Sequence, residues 1–254
     1  MEEQEKGQIE MPEPIESPNA PKDIVTADLV TANVITAQGP AEQASEQPIT
    51  DVVFDFGNVL VYWEPSAALV SRYSPNTINH FLDDKVSGFF EANDFLDGGA
   101  PIEDVTAWME RTHGRENADI FRFYLDHFED SLTGVVPGAR MLIEDLKAAG
   151  IGVWGLSNWE RTLFPIAWKQ FGILHLLQDK VVSGNVRMRK PHKDIFDLAI
   201  RQFGINAQTS LFVDDKSQNV LGANASGMRA FQFSDSYKLR HALIAAGVAI
   251  PSVQ

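Results

Sequence analysis

The side chains best suited to chemistry in this sequence stand at the ends of short apolar runs or beside a proline. They occur in the order Asp55 after Val52-Val53-Phe54, Ser157-Asn158 after Val153-Trp154-Gly155-Leu156, Lys190 before Pro191, and Asp214-Asp215 after Leu211-Phe212-Val213. The carboxyl ends of parallel strands share one edge of a sheet, where open α/β folds bind ligands. A carboxylate there can attack phosphorus to form an acyl phosphate, and a lysine with an acidic pair can hold a phosphate and a magnesium ion. The set therefore predicts a phosphoryl-transfer site.

The elements that would position these side chains alternate between strands and helices. Short apolar runs bounded by turn residues predict strands at 51–55, 151–156, 180–183, 210–214 and 229–232. Apolar residues at helical spacing predict helices at 139–149, 161–171, 192–203 and 217–226. This alternation is typical of parallel sheets, so we expect an α/β fold with a Rossmann-like parallel core.

The stretch between the first two predicted strands is too long for one crossover and must hold structure of its own. It is helix-patterned at 67–73, 76–83, 102–112 and 118–128. We therefore expect an all-helical insertion at 66–134, placed between two parts of the α/β core at 49–65 and 135–254.

Residues 1–48 differ from the rest in composition and are predicted to form a disordered acidic tail. They are rich in Glu, Pro, Gln and Ala and poor in aromatic residues. Ten acids against two lysines give the first 50 residues a net charge of -8, out of -14 for the whole chain. A five-residue recurrence of Val/Ile-Thr-Ala between residues 25 and 37 matches neither helix nor strand and is interpreted as low complexity.

Composition excludes several classes of protein. The absence of cysteine rules out disulfides and thiol chemistry. The net charge of -14 argues against a nucleic-acid-binding protein, because phosphate contacts need a basic surface. The acidic start and the lack of long apolar stretches predict neither a signal peptide nor a membrane span. We expect a cytoplasmic enzyme whose partner is a small phosphate ester; no signal for an oligomeric state is present.

The motifs around Asp55, Ser157, Lys190 and Asp214-Asp215 together resemble those of the haloacid dehalogenase-like hydrolases, most of which are magnesium-dependent phosphatases. The resemblance spans 51–233. It implies that the helical insertion is a cap that closes over the active site and sets substrate choice.

The resemblance also implies a role for each motif. Asp55 is the expected nucleophile, with Ser157 and Lys190 as catalytic partners that bind the transferred phosphate. Asn58 and Asn158 are further candidates for substrate binding. The implied cofactor is Mg²⁺, held by the residues Asp55, Gly57 (through its carbonyl), Asp214 and Asp215. Within the acidic pair, Asp215 is expected to bind the ion directly and Asp214 to orient Lys190 or a bound water.

Gly57 departs from the family pattern. Most of the family's phosphatases carry a second aspartate two residues after the nucleophile, and it protonates the leaving group. The run from Asp55 to Val59 instead resembles a branch that includes α-D-glucose-1-phosphate phosphatases. An anomeric oxygen is a better leaving group than an ordinary alkoxide and needs less protonation, which favours a sugar 1-phosphate as substrate. Asn58 could donate a hydrogen bond there or serve only as a turn residue.

Other polar residues near these motifs are predicted to have supporting roles or none in the reaction. Arg187, Arg189 and Lys193 are interpreted as surface charge, and Asn219 as a brace for the acidic pair. Polar residues of the expected closure segment, 90–99, are candidates to bind sugar hydroxyls; they are Glu91, Asn93, Asp94 and Asp97.

Two other functions remain open at this point. An L-2-haloacid dehalogenase would use the same nucleophile against carbon without a metal, but it has no use for two adjacent acids at 214 and 215. A non-catalytic regulatory protein on the same scaffold would explain the absent acid at position 57, although the other catalytic positions are filled. A phosphomutase is less favoured, since it needs an acid–base group where Gly57 stands.

Overall fold

The computed structural model describes residues 47–253 and, before them, the backbone of a two-residue strand. The strands are β1 Val34–Ile35, β2 Asp51–Phe54, β3 Val61–Trp63, β4 Leu132–Val135, β5 Gly152–Ser157, β6 Lys180–Val182, β7 Ser210–Asp214 and β8 Arg229–Gln232. The helices are α1 Pro75–Phe81, α2 Asp84–Ser87, α3 Phe89–Asp97, α4 Ile102–His113, α5 Arg115–Asp126, α6 Ala139–Ala148, α7 Phe164–Gln170, α8 Ser183–Val186, α9 Lys193–Phe203, α10 Ser217–Ala225 and α11 Ser236–Ala245.

A six-stranded sheet forms the centre of the described part of the chain. Its strand order is β1-β8-β7-β2-β5-β6, and every pairing is parallel except that of β1 with β8. The chain builds β5 and β6 on one side of β2, then β7 and β8 on the other. The carboxyl ends of β2, β5 and β7 therefore lie side by side, at the kind of switch point where such sheets bind ligands. The predicted α/β fold with a Rossmann-like parallel core is confirmed.

Both faces of this sheet are covered, because successive side chains of a strand point to opposite faces. Val52 and Phe54 of β2 belong to one hydrophobic cluster, while Val53 between them belongs to the other. The first cluster also holds apolar residues of α6, α7 and α11, and the second holds those of α9 and α10. Helices on both faces leave only the strand ends open to a ligand.

The buried face and the C-terminal end of α9 follow from its sequence. Its buried residues Ile195, Phe196, Ala199 and Phe203 recur at the spacing of one helix face, which lies against the sheet. Gly204 ends the helix in the left-handed conformation, with φ 66°, that glycine adopts without a steric penalty.

Helices α1 to α5 lie between β3 and β4, which pair antiparallel in a separate two-stranded ribbon. The prediction of helices is confirmed for α1, α4 and α5. The predicted helix at 67–73 is wrong beyond the short 3-10 turn Pro65–Ala68. Ser74 precedes a proline, which disfavours helical backbone, and it instead lies extended and caps α1. Helix α3, which forms most of the expected closure segment, was not predicted.

The predicted disordered tail, residues 1–48, falls almost entirely outside the described residues. Within it, Val34–Ile35 form a strand that pairs with Phe231 and Ala230 of β8, so the prediction of disorder is wrong for these two residues. Their backbone groups find partners at the edge of the sheet, which composition alone does not reveal.

Among the described residues, no helix has both the length and the apolar character that crossing a membrane requires.

Gly222 of α10 sets how closely that helix approaches the loop that carries Lys190. A Cβ at this position would lie against the carbonyl oxygen of Pro191, 2.9 Å from Pro191 Cβ and 3.0 Å from a ring carbon of Phe196. We expect Gly222→Ala to lower the free energy of unfolding by about 1–3 kcal/mol, because overpacking forces the helix outward. Urea denaturation measures the change.

Leu221→Ala is the matched control in the same helix, since Leu221 is 61% exposed. It should change the free energy of unfolding by less than about 0.5 kcal/mol. A Gly222→Ala protein as stable as the wild type would show that α10 can move without cost.

Candidate functional site

Asp55 follows β2 and lies at the open edge of the sheet, where its backbone N–H donates to the carbonyl of Val213 (2.9 Å). Its Oδ1 accepts hydrogen bonds from Ser157 Oγ at 2.8 Å and from Lys190 Nζ at 2.9 Å. Its Oδ2 accepts none from the described residues. Burial raises the pKa of the Asp55 carboxyl, and the ammonium of Lys190 opposes that rise. One oxygen is therefore held in place while the other is free to react.

Lys190 is the buried cation of the site. Its Nζ contacts Asp55 Oδ1 at 2.9 Å, Asp214 Oδ2 at 2.6 Å and the carbonyl of Leu156 at 3.0 Å. Burial alone would lower the pKa of Lys190, but the two carboxylates outweigh it and raise the pKa. The ammonium thus stays charged, and all three of its N–H donors have a partner.

Asn158 fixes the backbone on which Lys190 stands. Its Oδ1 accepts from the Lys190 N–H at 2.8 Å, and its Nδ2 donates to the Lys190 carbonyl at 2.9 Å. The side chain therefore orients the lysine, and a direct contact of Asn158 with phosphate stays a prediction.

The two acids of the predicted pair differ in their surroundings. Asp214 is fully buried, and both of its oxygens accept hydrogen bonds, from Lys190 Nζ, the Lys216 N–H and Asn219 Nδ2. Asp215 is half-buried and accepts only a long hydrogen bond, 3.5 Å, from Asn58 Nδ2 among the described residues. Asp215 is therefore the freer of the two, and Asn219 braces the cluster as interpreted from the sequence.

Three carboxylates converge at this point. One oxygen each from Asp55, Asp214 and Asp215 lies within 4.8 Å of the others, an arrangement that could hold a metal ion. Burial raises the pKa of Asp215, and the negative charge of Asp55 raises it further. The buried Oδ1 of Asn219 also has no hydrogen-bond partner in the described structure. The donor set is therefore one that a hard cation with bound water would satisfy.

Gly57 and Asn58 form the turn after the nucleophile. Asn58 has φ 58°, a left-handed conformation that asparagine tolerates, and its Oδ1 accepts from the Trp63 N–H at 3.1 Å. A Cβ at Gly57 would meet nothing within 4 Å, and the φ of Gly57 is not in the left-handed range. A side chain at position 57 would therefore begin in open space.

A cleft connects this edge of the sheet to the inserted helices. Its volume is about 780 Å³, including the open solvent at its mouth. Its aromatic lining consists of Trp63, Phe90, Phe128 and Trp159. Helix α3 contributes three polar side chains, Asn93, Asp94 and Asp97, whereas Glu91 of the same helix does not line the cleft. The sheet edge and α3 thus face one shared space.

Two charged residues have environments that the sequence analysis did not anticipate. Arg189 is buried rather than a surface charge: its Nη1 donates to the carbonyl of Asp94 and lies 3.8 Å from the carboxylate of the same residue. Only its position beside Lys190 could have drawn attention to it. Burial raises the pKa of Asp97, at the end of α3, to about 7. Lys193, by contrast, is exposed and pairs with Asp197, as interpreted.

Comparison with known proteins agrees with this geometry. A sequence model of the haloacid dehalogenase-like hydrolase family matches residues 97–233. The chain is 25% identical over 186 residues to the sesquiterpene phosphatase astK of Aspergillus oryzae, covering 72% of this chain and 89% of that protein. It is 27% identical over 200 residues to a phosphoglycolate phosphatase of Cereibacter sphaeroides, covering 75% and 87%.

Solved structures show the same fold. A haloacid dehalogenase-family enzyme of Bacteroides thetaiotaomicron, crystallised with magnesium and inorganic phosphate, superposes with a TM-score of 0.53 at 18% identity, covering 74% of this chain and 96% of that one. At that identity the likeness concerns the fold alone, whereas the family match spans more than half of the sequence. The chain therefore belongs to the haloacid dehalogenase-like hydrolases, and its relatives place it beside the phosphatases of that family.

Proposed function

We propose that this hydrolase is a magnesium-dependent phosphomonoesterase that works through an aspartyl phosphate on Asp55. The observation that carries the proposal is the state of the Asp55 carboxylate. Ser157 and Lys190 hold Oδ1 at 2.8 and 2.9 Å, while Oδ2 accepts no hydrogen bond from the described residues. A carboxylate with one oxygen fixed and one free is oriented for attack on phosphorus.

The remaining site residues would act on the transferred phosphoryl group. Lys190 supplies a permanent positive charge beside the nucleophile, which favours the approach of a dianionic phosphate and the charge of the transition state. Ser157 Oγ, which donates to Asp55 at 2.8 Å, and Asn58 Nδ2, which donates to Asp215 at 3.5 Å, are neutral donors that could also bind the phosphoryl oxygens. Water then hydrolyses the aspartyl phosphate and releases inorganic phosphate.

Asp55, Asp215 and the carbonyl of Gly57 are the proposed magnesium ligands. Asp214, whose oxygens are already saturated by protein donors, would orient Lys190 and support the cluster from behind. When bound, magnesium would neutralise the negative charge that gathers on the phosphoryl oxygens. Similar proteins crystallised with magnesium support this assignment.

We also propose that residues 66–134 are a cap domain over the core formed by 49–65 and 135–254. Support comes from the place of α1 to α5 between the two strands of the ribbon and from the three polar side chains that α3 directs to the cleft lining. The cap would enclose the body of the substrate, while the sheet edge binds its phosphate.

A sugar 1-phosphate is the proposed substrate class. With no side chain at Gly57, protonation of the leaving group falls to a group outside the sheet edge, and an anomeric leaving oxygen, which is less basic than an ordinary alkoxide, depends on that proton least. The cleft offers Asn93 and Asp94 to hydroxyl groups, and the buried indole N–H of Trp159 has no acceptor among the described residues. Aromatic rings beside such polar groups are a common way to bind a sugar ring.

The acidic cluster also separates this proposal from a metal-free L-2-haloacid dehalogenase. Without a cation, Asp55 and Asp215 repel each other: burial raises the pKa of Asp215, and the negative charge of Asp55 raises it further. Such a repulsive pair serves a metal site and has no use in a reaction that proceeds without metal.

Asp55→Asn should abolish magnesium-dependent hydrolysis of p-nitrophenyl phosphate, because an amide cannot attack phosphorus. We expect a loss on the order of 10³-fold or more in kcat. Asp126→Asn, which removes an exposed carboxylate from α5, is the control and should keep wild-type turnover. Substantial turnover by a folded Asp55→Asn protein would remove Asp55 from the mechanism.

Asp215→Asn should abolish most of the rise in melting temperature that magnesium causes in the wild type. A ligand that binds only the folded state stabilises it, by about 2.7 kcal/mol at a concentration of one hundred times its Kd. Differential scanning calorimetry with and without magnesium measures this shift without any substrate. Asp126→Asn should keep the full shift, and an Asp215→Asn protein that did so too would place the ion elsewhere.

The substrate class predicts a preference between two phosphates of one sugar. At saturating magnesium, kcat/KM for glucose 1-phosphate should exceed that for glucose 6-phosphate by about tenfold or more, since the anomeric oxygen leaves more easily. Release of inorganic phosphate measures both rates. Equal or faster hydrolysis of the 6-phosphate would contradict the proposal of a sugar 1-phosphate.

A further inference from the structure

The side chain that protonates the leaving group is absent at Gly57, and a carboxyl group on the inserted helices is available in its place. We infer that Asp97, the last residue of α3, donates the proton to the leaving-group oxygen. This inference rests on the proposed phosphatase function and names the acid for that same site.

Asp97 lines the same cleft as Asp55, Gly57 and Lys190, but it comes from α3 rather than from the sheet. In phosphoryl transfer the attacking and leaving oxygens lie roughly in line on opposite sides of phosphorus. With Asp55 attacking from the sheet edge, the leaving oxygen points away from the sheet, toward the side of the cleft that α3 lines.

The end of α3 is attached to the loop that carries Lys190. Arg189 donates to the carbonyl of Asp94, which also accepts the Gly98 N–H at 3.1 Å. Gly99, next along the chain, lies so close to Arg187 that a Cβ there would be 2.9 Å from Arg187 Cγ. These contacts on both sides of Asp97 hold it in a defined position relative to the phosphate-binding lysine.

The other acids of the cleft outside the metal cluster already have charged or hydrogen-bonding partners in the protein. Asp94 forms an ion pair with Arg189 at 3.8 Å. The carboxylate of Glu160 accepts hydrogen bonds from Thr162 and from the Leu163 N–H, at the start of α7. The carboxylate of Asp97 accepts no hydrogen bond from any residue in the described ranges. It is therefore free to contact a substrate.

Burial keeps a large share of the Asp97 carboxyl groups protonated near neutral pH. Burial raises its pKa to about 7, Lys216 and Arg189 lower it, and the negative charges of Asp94 and Asp55 raise it. An acid whose pKa lies near the working pH can both donate a proton and take one back in each cycle.

The two half-reactions balance with Asp97 in this role. Asp55 Oδ2 forms a bond to phosphorus as the bond from phosphorus to the leaving oxygen breaks, and the leaving oxygen keeps the electron pair. That oxygen takes the proton of the Asp97 carboxyl and departs as an alcohol, leaving Asp97 ionised. Water then attacks the phosphorus of the aspartyl phosphate and gives its proton to Asp97. Inorganic phosphate leaves, and Asp55 and Asp97 return to their starting states.

The test compares esters whose leaving groups differ in their need for a proton. In the wild type and in Asp97→Asn, kcat/KM is measured with magnesium for benzyl phosphate and for a series of substituted phenyl phosphates ending in p-nitrophenyl phosphate. Asp97→Asn should slow benzyl phosphate by about 100-fold, the usual contribution of a general acid. The loss of kcat/KM for p-nitrophenyl phosphate should be smaller by a factor of about ten or more, because nitrophenolate leaves without a proton. The dependence of rate on leaving-group basicity therefore becomes steeper in the variant.

A pH profile gives a readout that a purely structural role would not change. Only the protonated form of Asp97 donates, so wild-type turnover of benzyl phosphate should fall as the pH rises above about 7. This decrease should persist in Asp97→Glu and disappear in Asp97→Asn. Glu91→Gln removes a carboxylate from the same helix but not from the cleft, and it should keep the wild-type profile.

A double variant supplies a carboxyl group at position 57 in place of the one removed at position 97. Adding Gly57→Asp to Asp97→Asn should recover benzyl phosphate turnover at least about tenfold, since a Cβ at position 57 meets nothing within 4 Å. Equal losses for all esters in Asp97→Asn, or a decrease at high pH that survives in that variant, would overturn the role of Asp97 while leaving the phosphatase intact. A wild type without magnesium- and Asp55-dependent hydrolysis of p-nitrophenyl phosphate would overturn both.

Discussion

The buried contact of Lys190 with Asp55 and Asp214 is the interaction on which the site depends. Two carboxylates at the ends of adjacent strands repel each other, and the ammonium between them, 2.9 and 2.6 Å away, offsets that repulsion. With Asp215 included, three carboxylates face one ammonium, which leaves two formal negative charges in the cluster. A divalent cation balances that charge, which is why the proposed cofactor follows from the electrostatics as well as from the donor set.

Much of the surrounding structure serves to keep this contact in place. The side chain of Asn158 bonds to both the backbone N–H and the backbone carbonyl of Lys190, and Asn219 donates to both carboxylate oxygens of Asp214. Gly222 lets α10 lie directly against Pro191. These are polar or close-packed contacts of fixed geometry, so the reacting groups need little rearrangement when a substrate binds.

In the proposed reaction, the nucleophile and the group that protonates the leaving oxygen come from different parts of the structure. The sheet edge supplies Asp55, Ser157 and Lys190, whereas α3 supplies the polar side chains around the rest of the cleft. Because α3 is tied to the core through Arg189 and Asp94, changes in the inserted helices act directly on the position of the proposed acid. Substrate choice and proton donation would then depend on the same helix.

The sequence by itself determined the parallel sheet and the edge at which the candidate site lies. Apolar runs that end in Asp55, Ser157 and Asp214 report strand positions through local periodicity, and parallel strands place such ends together whatever the details of packing. Only the tertiary structure decided which acids are saturated and which are free. The burial of Arg189, the ribbon that pairs residues 61–63 with 132–135 and the surroundings of Asp97 all arise from contacts between residues far apart in the chain. Periodicity carries no information about such contacts, because it describes neighbours along one element and not the partners that folding brings to it.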